Sequence, residues 1–346
     1  MTPEPMEACM QVRDYLIRRL VLLPFIMLGV SVVVFTLTRF TGSPVGIYAT
    51  PNMTPDEVAA LEARYLLDQP IPVQYAAWLG GLLQGDLGWS GVSVAPVTAV
   101  IGDKMTATLE LALAAAVIAI LGGIALGTIA GVRRNKGPDH LARLFSILGA
   151  STPTFWFGLL LLVPFYLWLD WFPLGRSTTE VWDSIGHPTG LYTLDAILAG
   201  SPVALLDALR HLVLPATVLA FGAMAIIVRM MRSSMVEALS EEYVDAARSK
   251  GLPEGVVIKR HARRNALVPT TTVIGLSFGF LLQGSVAVEL IFRWPGLGQW
   301  VTSAILAGDQ ATIMSYVLIT AVIFMTVNLA VDIAYAYLDR RVVLGG

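Results

Sequence analysis

Cysteine occurs once, at Cys9, far from any histidine, so the chain can build neither an internal disulfide framework nor a cysteine-based metal site. Charge is scarce as well: 14% of residues are Asp, Glu, Lys or Arg, where soluble domains carry about a quarter. The signs nearly cancel, to a net charge of −2, and no run of like charge is long enough to be a tail, which speaks against a nucleic-acid binder. No G-x-x-x-x-G-K-[ST] phosphate cradle is present, so any nucleotide hydrolysis must come from another polypeptide. His140, His187, His211 and His261 are scattered, with no H-E-x-x-H, and read as loop or interfacial histidines rather than metal ligands. G-x-S-x-G is missing too, which leaves a serine hydrolase without support.

What the chain has in quantity is apolar sequence, 55% of its 346 residues. Runs of about 20 residues, enough to cross a bilayer, fall near 20–38, 107–131, 141–169, 211–228, 267–288 and 313–338. The expected fold is therefore an all-α integral membrane protein with six transmembrane helices. The first run is longer than a signal-peptide core and lacks a small-residue cleavage site, so it reads as a retained anchor behind a short segment, 1–19. Pro153, inside the third run, predicts a kink or a late start there.

In this six-span arrangement all but Arg39, Arg64, Lys104, Arg176, Arg210 and Arg293 of the 23 lysines and arginines fall on one side. The positive-inside rule makes that side cytoplasmic and places both termini there. Two sizeable outer segments result, 39–106 and 170–210. The first contains "TPDEVAALEARYLL", where Thr54 can cap a helix opened by Pro55 and favoured by Asp56 and Glu57, so small helical caps are expected on the outer face. Of the cytoplasmic connections only 229–266 is long enough to hold folded structure.

Within that connection, a helix over Val236–Ser249 would put Val236, Leu239, Tyr243 and Ala246 or Ala247 on one stripe and Glu237, Glu241, Asp245 and Arg248 or Ser249 opposite. Gly251 ends it and Pro253 blocks its continuation. A helix resting on lipid should be basic on its polar face and bulky on the other. This one is acidic in its first half and small in the middle, which suits a cleft in a protein partner better.

Ionisable residues inside spans mark function or a bundle-internal pair. Glu110 opens the second run and Glu289 closes the fifth, while Asp332 sits within the sixth, either paired or in contact with a solute. In the fifth run the small residues permit close helix packing, and Ser277, Gln283 and Ser285 with Glu289 can also line a watery path.

The segment "EYVDAARSKG" followed by "RHARRNALVP" resembles the EAA loop of ABC-importer permease subunits, in the form found in the dipeptide, oligopeptide and nickel group. Further stretches extend the likeness along nearly the whole chain: "DQPIPVQYAAWLGGLLQGDLGWS", "TATLELALAA", "RHLVLPATVLA", "VRMMRSSMVEAL", "VELIFRWPGLGQW" and "VDIAYAYLDRRV". The resemblance implies a permease domain over 20–346 and a cytoplasmic coupling helix that seats in an ATPase subunit. Asp245, Ala246, Ala247 and Gly251 stand at the E, A, A and G places, with Glu241, Glu242 and Arg248 beside them; Asp245 is shorter than the commoner glutamate. Pro269 closes the motif, and Arg340 stands where proline is frequent. It further implies import of peptides, with nickel or another small solute as the alternative. The implied partners are a second homologous permease, two ABC ATPases that hold ATP and Mg, and an extracytoplasmic binding protein. The setting would be the bacterial cytoplasmic membrane, with no cofactor on this chain and no nucleic acid. A self-sufficient secondary transporter is the rival, but it would show inverted repeats, and none is evident.

Overall fold

A computed structural model describes residues 5–41, 54–64 and 66–338 of the chain. Arg340 and Arg341 lie outside the described residues, as do the side chains of Gln283 and Asp332 and those of residues 5–16. Helices dominate: α1 (Pro5–Thr41), α2 (Pro55–Arg64), α3 (Ile71–Leu83), α4 (Val97–Val132), α5 (Gly137–Ser151), α6 (Thr154–Leu162), α7 (Thr179–Trp182), α8 (Tyr192–Leu198), α9 (Pro202–Leu239), α10 (Glu242–Ser249), α11 (Glu254–Val256), α12 (Arg263–Ile291), α13 (Leu297–Ala307) and α14 (Gln310–Leu338). Two π-helical turns, Val163–Trp168 and Val257–Ala262, extend α6 and lead into α12. The all-α expectation needs one amendment, a small antiparallel ladder of β1 (Trp89–Ser90) and β2 (Ala95–Pro96).

Among the described residues, four helices are long and apolar enough to cross a membrane: Ile17–Phe40 of α1, α4, α9 and Gln310–Ala330 of α14. The third expected run is not one kinked helix. Thr152 and Pro153 are extended, and α5 and α6 meet at 109°. The cause is local, because proline offers no N–H and drives the residue before it out of helical geometry. Taken as one span, this bent pair is a fifth. The run at 267–288 lies in the 29-residue α12.

The helix expected over Val236–Ser249 is also divided. Ser240 leaves helical geometry, its hydroxyl donating to the Glu237 carbonyl at 2.7 Å, and Glu241 is extended (φ −81°, ψ 145°). Serine bonding its own backbone in this way competes with helix continuation. Arg229–Leu239, the first part of the expected 229–266 connection, forms the last part of the 38-residue α9.

The chain forms two compact units. In the first, which includes Ala107–Trp294, α9 is central and packs against α5, α6, α8 and α12. Its core joins Ala107, Leu111, Ala115 and Ala119 of α4 to Leu212, Ala216, Leu219, Ala223 and Ile227 of α9, closed by Phe292 and Trp294. Farther along α4, Gly127 lets the two backbones approach: a Cβ there would stand 2.6 Å from the Met231 Cβ and 2.9 Å from the Val228 carbonyl oxygen. Small residues at helical spacing serve this purpose where packing replaces the hydrophobic effect as the glue.

The second unit is made of Pro5–Thr106 and Pro295–Thr326. Phe35, Tyr75 and Trp78 form an aromatic cluster with centroids 5.4–5.9 Å apart, beside Val34 and Met314. A second cluster sets Val97 against Leu297 and Trp300. The β-ladder is tied down by Asp309, which accepts from Ser90 Oγ at 3.1 Å, the Val92 amide at 3.2 Å and Thr312 Oγ1 at 2.7 Å. Helix α2 starts as its sequence predicts, and more firmly. Thr54 and Glu57 form a capping box, the Glu57 carboxylate accepting from the Thr54 amide at 2.8 Å, which holds that carboxyl below the usual range.

Candidate functional site

Helix α10 stands on an apolar foot and shows a polar face. Val244 and Ala247 are buried against Val257, while Tyr243 and Ala246 are exposed, so the stripe expected to pair Tyr243 with either alanine turns outward with Ala246. Glu242 and Asp245 occupy the first turn, where acids favour the positive end of a helix. The far end closes tightly. The Gly251 amide donates to the Arg248 carbonyl at 2.9 Å and the Leu252 amide to the Ala247 carbonyl at 3.4 Å, with Gly251 at φ +74°. Crossed bonds of this kind around a left-handed residue form the Schellman closure, which an L side chain strains.

Arg248 braces the corner from outside. Its guanidinium meets the Glu254 carboxylate at 2.9 and 3.3 Å, and Asp245 at 3.3 Å. The hydrogen bonds from Arg248 hold the Glu254 carboxyl below its usual value, and those carboxylates in turn raise Arg248. Asp245 keeps 73% of its side chain exposed. Glu241 and Glu242 are exposed and, among the described residues, take no side-chain partner. The knuckle thus presents two free acids, a half-engaged third acid, an alanine and a tyrosine on one rigid corner.

The buried ionisable groups behave otherwise. Glu110 receives the Arg176 guanidinium at 2.7 and 2.9 Å on one oxygen, and the amide and hydroxyl of Thr193 at 2.7 and 2.8 Å on the other. Arg176 also donates to the Gly190 carbonyl at 2.6 Å and lies over the Tyr192 ring. Glu110 is therefore a fully engaged internal pair that fastens α8 and the stretch before α7 to α4. Glu289 is wholly buried and accepts from Thr108 Oγ1 at 2.8 Å. Ser277 and Ser285 are buried as well, Ser277 bonding back to the Val273 carbonyl at 2.8 Å. The candidates for a path thus lie inside the first unit in this state, and Gln283 and Asp332 are among the side chains outside the description.

One cluster escaped sequence reasoning. Asp139, fully buried at the start of α5, accepts from the Asn135 amide at 2.9 Å, from Arg143 at 2.7 Å and from Arg232 of α9. The Asp139–Arg143 pair is visible as an i, i+4 spacing. Arg232 lies 93 positions away, and nothing local announces it. Among the described residues no group of three or more His, Cys, Asp or Glu is placed to hold a metal ion.

Comparison with known proteins gives this geometry its context. Residues 12–112 match the N-terminal region described as "Binding-prot-dependent transport system membrane comp, N-term", and residues 123–344 match "Binding-protein-dependent transport system inner membrane component". The chain belongs to this family of inner-membrane transport components. Among its relatives, "Probable D,D-dipeptide transport system permease protein DdpB" of Escherichia coli (strain K12) is 40% identical over 94% of this chain and 96% of its own. "Di/tripeptide transport system permease protein DppB" of Pseudomonas aeruginosa (strain UCBPP-PA14) is 39% identical over 95% and 98%. "Dipeptide transport system permease protein DppB" of Alkalihalophilus pseudofirmus is 38% identical over the same shares. The chain is thus a permease subunit rather than an ATPase, a multi-pass component of the inner membrane. In this permease the knuckle falls within the matched region 123–344.

Proposed function

We propose that this permease forms half of the pathway of an ATP-driven importer of di- or oligopeptides, and that α10 is the coupling helix through which partner ATPases move it. The observation that carries the reading is the knuckle: a short helix fixed from below by Val244, Ala247 and Val257, closed at Gly251, with Glu241, Glu242, Asp245 and Ala246 facing out. Rigidity beneath and unpartnered acid above are what a part that transmits force to a neighbouring protein requires. The relatives named for dipeptide and di/tripeptide transport support the peptide cargo.

In this reading α12 and the bent α5–α6 pair join the four long apolar helices to make six spans within 20–346. Both termini, including 1–19, and the 229–266 connection face the cytoplasm, while α2, α3, α7 and α8 cap the outer face. ATP and Mg reside on two ATPase subunits, a second permease completes the path, and a binding protein delivers the peptide outside. Nucleotide binding draws the knuckles of the two permeases together and biases the pair between inward-open and outward-open states, each partner contributing by its differential contact with the two. Ser277, Gln283, Ser285 and Glu289 then line a path that opens as α12 and α4 part; Asp332 stays an internal ionisable group of the last span.

The test is Asp245→Lys in the purified complete transporter reconstituted in proteoliposomes. Dipeptide uptake should fall about tenfold or more, as charge reversal at a docked pair costs a few kcal/mol, with expression normal and ATP hydrolysis either lost or uncoupled from uptake. Unchanged uptake would reject α10 as the coupling element.

A further inference from the structure

Four cations crowd the path into α12. Lys259 and Arg260 belong to the π-helical turn and Arg263 and Arg264 to the start of the helix, and with Leu267 they line a groove of about 390 Å3. Helical spacing sets Lys259 beside Arg263 and Arg260 beside Arg264, so like charges that repel one another are held about one turn apart. Among the described residues, none of the four has a side-chain hydrogen bond or an ion pair. This contrasts with the knuckle a few residues earlier, where Arg248 is answered by two carboxylates.

Leu267 lines the groove together with the four cations, and Val268, the next residue on the helix, is 47% exposed, so an outward-facing apolar side chain follows the cations on the same helix. Cations followed within one turn by an apolar surface match the depth profile of a phospholipid, anionic phosphate first and acyl chain after. Guanidinium groups present paired donors to phosphate oxygens, and basic clusters at the cytoplasmic ends of spans hold anionic headgroups. An acidic protein surface would answer the charge as well, but it would set the exposed Val268 against polar groups, whereas Leu267 is already packed in part on the Met231–Met235 cluster.

We infer that Lys259, Arg260, Arg263 and Arg264 form a binding site for the phosphate of an anionic phospholipid, with Leu267 and Val268 against its glycerol and first acyl carbons. The inference rests on the cytoplasmic placement of this loop proposed above. The lipid neutralises the cluster and ties the root of α12 to the inner leaflet next to the knuckle.

The intact transport complex, in nanodiscs of phosphatidylcholine containing about one-fifth phosphatidylglycerol, provides the test, with lipids retained after transfer to detergent counted by native mass spectrometry. Phosphatidylglycerol should be retained on the permease about tenfold over phosphatidylcholine, and the Lys259→Gln/Arg260→Gln variant should fall to the phosphatidylcholine level. Should that variant fail to assemble, Arg264→Gln alone should show a smaller loss in the same direction. Equal retention of the two lipids, or variants that retain lipid as the wild type does, would overturn the site. Displacement of the lipid by millimolar inorganic phosphate would assign the groove to a free anion instead. Release of the ATPase subunits from the variant while lipid stays would assign it to the subunit interface. Failure of the coupling reading looks different, since Asp245→Lys would then leave uptake unchanged whatever the lipid count.

Discussion

Glu110 and Asp245 are both acids beside an arginine, and they do opposite things. Arg176 and Glu110 are 5% and 4% exposed, and every oxygen of the carboxylate is engaged, whereas Asp245 is 73% exposed and shares its arginine with Glu254. Buried charges must be matched group for group because water cannot compensate, and a partner removed leaves its mate stranded. Exposed charges in water contribute little to holding a fold. Their value lies in being available to something else. The buried pair therefore acts as a fastening, and in the proposed reading the knuckle is a handle.

The contrast can be broken most directly at the buried end. Glu110→Ala strands Arg176 and the Thr193 amide, and it should cost about 3–5 kcal/mol, read as a large drop in the thermal midpoint of the purified complex. Glu110→Gln, which keeps one acceptor oxygen for Thr193, should lose less; an alanine variant as stable as wild type would remove the fastening role. A smaller loss, about 1–3 kcal/mol, is expected for Gly127→Leu, which overpacks the α4–α9 contact. An unchanged midpoint there would mean that α4 yields freely.

At the exposed end Glu254→Gln should leave the thermal midpoint unchanged while speeding backbone hydrogen exchange across 250–254. Acid should do the same to the wild type. Glu254 has a folded value below its ordinary 4.5, so the brace is complete above the usual glutamate range and is lost as pH falls through that depressed value. Exchange at 250–254, corrected for intrinsic rates, should accelerate only below pH 4.5. A midpoint loss as large as that of Glu110→Ala would erase the difference between handle and fastening.

The sequence announced what depends on local chemistry. Apolar runs located the long helices, Thr54-Pro55 located the start of α2, and Gly251 with Pro253 located the corner. It was less informative where one residue tips a balance. Pro153 allowed either a kink or a late start, and the structure takes the second by starting α6 at Thr154, while Ser240 divides a helix that periodicity alone would carry through. Long-range pairing was hidden altogether. Glu110 and Asp139 can be seen as acids in awkward places, but Arg176 and Arg232 become their partners only through packing of distant segments. The β-ladder held by Asp309 was invisible for the same reason, since two residues per strand carry no readable alternation.

One consequence follows from the length of α9. Thirty-eight residues at helical rise make a rod of about 57 Å, unbroken through Pro215, with the Ser240 joint at one end. Near its other end Asp207 accepts from the Thr178 amide at 2.9 Å and hydroxyl at 2.7 Å, which clips on the short helix α7. Stiff rods swing rather than stretch. In the proposed coupling, a small rotation of this shaft about its middle would sweep both tips in opposite directions at once, with no chain of intervening side chains needed to relay the signal.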